Sequence, residues 1–218
     1  MKAQFIDRTS AGRLLAGQLQ NYAGQPGVIV LALPRGGVPV AYEVARQLGA
    51  PLDVLVVRKL GVPCQEELAM GAIAPGGVCA LNDELIDMLD IEVDAIASVR
   101  LHEQQELDRR ERLYRENRPP LDVHDKVVIV VDDGIATGAT MHAAIAFLHQ
   151  QNAARVVVAA PVIARDTFRE LQSIATEVVA VNTPDELGSV GLWYEDFSPT
   201  SDEEVRRLLG IKELQQIP

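Results

Sequence analysis

Apolar and polar positions along this 218-residue chain follow two alternating rhythms. Residues 28–33, 127–131, 156–160 and 178–181 are short, continuously apolar runs rich in Val, Leu and Ala, and 52–57 is another such run interrupted only by Asp53. That is the composition of strands covered on both faces in a parallel sheet. Between these runs, apolar residues recur every three or four positions, as amphipathic helices require. Leu14, Leu15, Leu19 and Tyr22 mark a first helix behind a Thr9 or Ser10 cap, and residues 24–27 stop it. Val40, Val44 and Leu48 mark a second helix, closed by Gly49. Further helical patterns cover residues 141–150 and 165–174, and a last one carries Val205, Leu208 and Leu209 behind the cap Thr200-Ser201-Asp202-Glu203. Strands alternating with helices predict an α/β domain: an open, mostly parallel sheet of about five strands flanked by helices. Residues 28–57 read as a βαβ unit.

Two stretches break the rhythm. Residues 72–74 and 78–81, split by Pro75-Gly76-Gly77, predict a small hairpin. Residues 82–90 predict a short helix and 93–118 a long one, together a helical insertion over about 82–118. Glu103, Glu106, Arg109, Arg110 and Arg112 alternate in sign along the long helix at salt-bridge spacing. Leu101, Leu107, Leu113 and Tyr114 leave it a thin apolar stripe, suited to the rim of the domain or a subunit contact. Residues 1–25 and 183–218 remain for a small hood on a single domain spanning 1–218.

Composition narrows the class of function. The net charge of −11 disfavours a phosphate backbone or an anionic membrane surface as partner. No apolar run approaches a membrane span, and charges at Lys2, Asp7 and Arg8 leave no signal peptide visible. Cys64 and Cys79 lack metal-type spacing and suggest a reducing compartment, so a cytoplasmic location is expected. His102, His124, His142 and His149 are scattered without acid or thiol partners at ligand spacing, which argues against a structural metal.

The chemistry concentrates in residues 127–141, V-V-I-V-V-D-D-G-I-A-T-G-A-T-M. Asp132 and Asp133 stand where the strand ends, and Gly134, Ala136, Thr137, Gly138, Ala139 and Thr140 form a small-residue loop into a helix. In open α/β sheets, ligands bind at the carboxyl ends of strands. A helix N-terminus offers unpaired N–H groups to an anion. The acids suit hydroxyls or a cation, and the loop suits a phosphate. A sugar phosphate supplies both: the acids accept from vicinal ribose hydroxyls while Thr137, Thr140 and the amides hold the 5′-phosphate. A Walker A loop would need Lys where Ala139 stands, and a dinucleotide fingerprint is absent. A receiver-type phosphoacceptor carries its acids earlier in the chain. The strand, the paired acids and T-G-A-T resemble the signature of the type I phosphoribosyltransferases.

That resemblance implies a Rossmann-like phosphoribosyltransferase domain. It also implies transfer of the 5-phosphoribosyl group of phosphoribosyl diphosphate to a nitrogenous base, release of pyrophosphate, and Mg²⁺ touched by Asp132 or Asp133 directly or through water. Nucleotide salvage in a homodimer is the expected setting. Arg35-Gly36-Gly37, which alone reads equally well as a tight βα turn, resembles the family's pyrophosphate loop. Arg58-Lys59-Leu60-Gly61-Val62-Pro63 reads alone as a solvated strand end, and resembles the segment that lies beside the diphosphate and leads into a mobile loop. Here that loop would run over residues 60–70 and contain Glu66 and Glu67, candidates for proton transfer. The resemblance thus assigns Lys59, Asp133 and Glu67 catalytic roles, and Arg35, Gly36, Gly37, Arg58 and Lys59 the pyrophosphate. Family members acting on 6-oxopurines carry an acid where Ala136 stands, which points toward the adenine and orotate types. Trp193 and Tyr194, in an aromatic cluster near the C-terminus, read either as a satellite core or as a wall for the base. A non-catalytic regulator that binds phosphoribosyl diphosphate is the alternative function.

Overall fold

The computed structural model describes residues 4–115, 118, 119 and 121–211, without the side chains of Glu66 and Glu67. Parts of the expected long helix (116, 117) and of the expected hood (1–3, 212–218) therefore lie outside the described residues. So does the Glu67 carboxyl expected to take part in proton transfer.

The apolar runs form five parallel strands: β1 (Val28–Ala32), β2 (Leu52–Val54), β6 (Val127–Val131), β7 (Arg155–Val162) and β8 (Glu177–Asn182). They are ordered β2-β1-β6-β7-β8. Side chains alternate across a strand, so each run feeds two cores. Val28, Val30 and Ala32 of β1 join one core, with Leu15 of α1 (Arg8–Gln18), Val40 and Val44 of α2 (Gly37–Leu48) and Val205 of α7 (Asp202–Leu208). Leu31 and Leu33 join the other, with Met141, Ile145 and Leu148 of α5 (Ala139–Gln150) and Leu171 of α6 (Arg165–Ile174). A continuously apolar strand is what a sheet with helices on both faces demands. The α1 cap is Asp7 rather than Thr9 or Ser10: its carboxylate accepts from the Ser10 amide, and the Ser10 hydroxyl takes the Asp7 amide in return.

The chain departs from β1 to β2 on one side and re-enters the sheet as β6 on the other side of β1. This reversal makes a switch point between β1 and β6, where the crevice of an open α/β sheet lies. The residues just past those two strands are Leu33 to Gly37 and Asp132 to Gly138.

The detour between β2 and β6 differs from expectation. Residues 60–70, expected as a mobile loop, fold into a hairpin of β3 (Arg58–Val62) and β4 (Gln65–Ala74), and β5 (Val78–Leu81) completes a three-stranded antiparallel sheet. Leu60, Val62, Met70 and Ile73 are buried from it into the first core, which is what holds it down. After α3 (Asp83–Met88), α4 (Val93–Arg115) lies against this sheet and α7. Its Leu107 and Tyr114 are fully buried, whereas Leu101, expected in the same stripe, is 63% exposed. Among the described residues, no helix is long and apolar enough to cross a membrane.

Candidate active site

The site begins where β6 ends. Asp132 stays in sheet register, its amide bonded to the Ala159 carbonyl at 3.2 Å. Its Oδ1 then turns back to accept from the Asp133 amide at 2.8 Å. The acid pair lies against the turn after β1, where Gly36 and Gly37 are required by contact. A Cβ on Gly36 would sit 2.0 Å from Asp133 Oδ2, and one on Gly37 would sit 2.6 Å from the Val131 carbonyl. Two motifs almost a hundred residues apart thus form one surface, brought together by the adjacency of β1 and β6. The Pro34–Arg35 peptide within that turn is cis.

The loop after the acids is fastened from behind. Ile135 bridges Ile163, the Thr167 hydroxyl donates to the Ala136 carbonyl at 2.5 Å, and His142 Nδ1 meets the Gly138 carbonyl at 2.9 Å. Gly138 takes φ 73° and caps α5 without any side-chain hydrogen bond. A side chain at this position would be strained by that φ. The first-turn amides of α5 are therefore free of a protein cap, beside Thr137, which is exposed, and Thr140, which is half-buried. An uncapped helix start with small residues before it suits a phosphate.

Electrostatics set the acids apart from ordinary carboxylates. Burial, then the charge of Asp133, pushes the Asp132 carboxyl well above the usual range. Burial also raises Asp133, but the Arg8 guanidinium opposes it: Arg8 Nε donates to Asp133 Oδ2 at 2.8 Å. Arg8 belongs to the site and escapes a reading of motifs, because it reaches Asp133 from 125 positions away. Its one local signal is its place at the first position of α1 behind the Asp7 cap. Tyr194 is the second such residue, donating its hydroxyl to the Asp133 carbonyl at 2.5 Å.

That bond also corrects the assignment of Trp193 and Tyr194 to a base pocket. Both are buried in a cluster with Phe5, Leu187 and Val162, and the Trp193 indole donates to the Leu187 carbonyl at 3.1 Å. A stacking wall needs an open ring face, and neither residue offers one; the satellite core is what the structure shows. The cluster joins the first described residues to the C-terminal segment, with Phe5 bridging Tyr194.

Of the residues expected at the pyrophosphate, Gly36 and Gly37 touch the acid pair, whereas Arg58 and Lys59 line a separate cleft against α4. Arg35 is 44% exposed on its side chain and 3.7 Å from Asp202, which also accepts from the Tyr114 hydroxyl. Arg58 is paired with Glu103 of α4 at 2.6 Å. Arg58, Lys59, Cys64, His102 and Glu103 line a cleft of about 460 Å³ between the β3–β4 hairpin and α4. Among the described residues, no group of three or more His, Cys, Asp or Glu side chains could hold a metal by itself. Two adjacent carboxylates nevertheless fit Mg²⁺, which binds through one or two carboxylates and completes its shell with water and substrate oxygens.

A five-stranded parallel sheet with an acid pair and an uncapped helix start at its switch point defines an α/β protein with a ligand crevice suited to an anion beside hydroxyls. Comparison with known proteins makes the class specific. The family model of the phosphoribosyl transferase domain matches residues 65–194, and the chain belongs to that family. The match includes the acid pair and its loop, but begins after Arg35-Gly36-Gly37 and Arg58-Lys59. The Mycobacterium tuberculosis protein named "Putative phosphoribosyl transferase Rv0571c" is 46% identical over 201 residues, covering 92% of this chain and 45% of that protein. The chain thus spans about half the length of the curated relatives it matches. The crystal structure of TT1426 from Thermus thermophilus is 40% identical, superposes with a TM-score of 0.82, and covers 96% of this chain and 98% of that one.

Proposed function

We propose that the protein transfers the 5-phosphoribosyl group of phosphoribosyl diphosphate to a nitrogenous base and releases pyrophosphate, with Mg²⁺ as cofactor. The observation that carries this reading is the contact of Gly36 with Asp133, which joins a glycine turn suited to a diphosphate to an acid pair suited to ribose hydroxyls. The uncapped start of α5 follows the acids within the same loop.

In this reading, Asp132 and Asp133 accept hydrogen bonds from the ribose 2′- and 3′-hydroxyls. Gly134, Ala136, Thr137, Gly138, Ala139 and Thr140 surround the 5′-phosphate with amides and two hydroxyls. Bond breaking at C1 builds positive charge on the ring and negative charge on the leaving diphosphate, so the protein's work is positioning and charge compensation. The acids face the ring cation, while the Gly36–Gly37 turn, with Arg35 beside it in sequence, receives the diphosphate, and Lys59 is assigned to the leaving group by the resemblance of its segment. Bound Mg²⁺ would neutralise diphosphate charge, held by Asp132 or Asp133 directly or through water. With Ala136 where the 6-oxopurine enzymes resembled here carry an acid, the acceptor is a base that needs no ring proton handled from that position.

The test is a panel of purine, pyrimidine and pyridine bases incubated with phosphoribosyl diphosphate and Mg²⁺, reading pyrophosphate. Release above hydrolysis with one base, lost in Asp133→Asn, is the expected result. Tight binding of phosphoribosyl diphosphate with no pyrophosphate from any base would replace the enzyme by a sensor of that compound.

A further inference from the structure

The acid pair is not left with its charge open. Arg8 Nε donates to Asp133 Oδ2 at 2.8 Å, and Arg8 Nη1 donates to the Ser198 carbonyl at 2.8 Å. Its guanidinium also lies 3.9 Å from the centre of the Phe197 ring, a cation–π contact. The side chains of Arg8 and Asp133 are 11% and 14% exposed. A guanidinium fixed from three directions is unlike a surface ion pair, whose partners drift apart in solvent. Removing one partner of such a buried pair leaves an uncompensated charge.

Counting oxygens shows what this does to a metal. The two carboxylates present four oxygens; Asp133 Oδ2 is taken by Arg8 and Asp132 Oδ1 by the Asp133 amide. The other two oxygens lie on different residues, and among the described residues no third acid stands near enough to form a group. Mg²⁺ demands six oxygens in near-octahedral array. Resting on the phosphoribosyl reading of the site, we infer that Arg8 is a resident counter-ion of the acid pair, a positioning residue that keeps a free divalent cation off Asp133 and leaves the carboxylate oriented for a sugar hydroxyl. Asp132 and Asp133 would then hold a divalent cation only together with substrate oxygens. The same residue ties the N-terminal segment and the Phe197–Ser198 segment to the reaction centre.

The experiment uses Mn²⁺ as probe, titrated into the ligand-free protein and followed by the electron paramagnetic resonance of free Mn²⁺. Wild type and Arg8→Lys, which keeps the positive charge, should leave Mn²⁺ free. Arg8→Gln should gain one site, with affinity raised at least ten-fold, and Arg8→Gln combined with Asp133→Asn should lose it again. Arg8→Met, whose apolar stem keeps the contact with Phe197, replaces Arg8→Gln if circular dichroism shows that variant unfolded. Equal Mn²⁺ binding by wild type and the neutral variants overturns the inference, as does no binding by any of them. Because no phosphoribosyl compound is present, the outcome is independent of the base panel. A protein that fails to bind phosphoribosyl diphosphate in calorimetry would refute the functional reading separately.

Discussion

Gly36→Ala tests the junction of the two motifs with a single methyl group. Gly36 has φ −59° and ψ −34°, an ordinary helical conformation, so alanine meets no backbone objection. By itself such a change stabilises by about 0.4–1 kcal/mol, because the unfolded chain loses freedom. The added Cβ, however, would lie 2.0 Å from Asp133 Oδ2 and 2.7 Å from its Cγ. Optimal contacts between heavy atoms are about 3.5–4 Å, so the carboxylate must retreat by more than about 1 Å. Arg8 and the Tyr194 hydroxyl hold Asp133 where it is. Overpacking of this kind costs about 1–3 kcal/mol, a net loss of up to about 2.5 kcal/mol that lowers Tm by up to about 10 °C in a domain of this size. A misplacement of about 1 Å at a reacting centre can cost about 100-fold. Affinity for phosphoribosyl diphosphate, measured by calorimetry, should fall about 10- to 100-fold while circular dichroism stays native. Gly37→Ala should behave differently, since its Cβ would strike the Val131 backbone and destabilise the sheet itself. Unchanged affinity with a raised Tm in Gly36→Ala would refute the packing argument.

Other perturbations probe separate parts. Gly138→Val should abolish 5′-phosphate binding, because valine at φ 73° is strained and its Cβ would come within 2.8 Å of Thr167; a retained phosphate titration in nuclear magnetic resonance would count against the loop assignment. Lys59→Ala should lower kcat more than it weakens binding, since a charge met mainly as the diphosphate leaves acts on the transition state. Equal effects on kcat and binding would remove Lys59 from the chemistry. Burial, with the Glu177 carboxylate beside it, raises Tyr22 to about 12. The unfolded chain then releases that proton near pH 10 while the fold retains it, so stability falls between about pH 10 and 12. Tyr22→Phe should flatten that alkaline slope in thermal melts and cost about 1 kcal/mol at neutral pH through the lost hydrogen bond.

The legible parts of the fold were those in which local pattern and tertiary role coincide. The β6 strand, its acids and the α5 start are contiguous, so the sequence order is already the spatial order. The β3–β4 hairpin was hidden because its pairing shifts register between Leu60 and Gly61 and again between Gly61 and Val62, which breaks the period-two pattern. Cys64 at φ 65° makes its turn without the usual glycine or asparagine. Arg8 could not be found from spacing, because its contact depends on where the first helix lands against the sheet. Trp193 and Tyr194 carry the composition of a binding wall as well as that of a core, and only burial separates the two.

The central claim is that the acid pair and the loop behind it bind one sugar phosphate together. Calorimetric titration with ribose 5-phosphate, on wild type, Asp133→Asn and Gly138→Val, tests it without requiring turnover or a base. Losing one charge-assisted hydrogen bond costs about 1.5–3 kcal/mol, so Asp133→Asn should bind about 10- to 150-fold more weakly, and Gly138→Val should show no binding. Wild-type affinity in both variants, or binding that survives when both motifs are altered in one chain, would contradict the account.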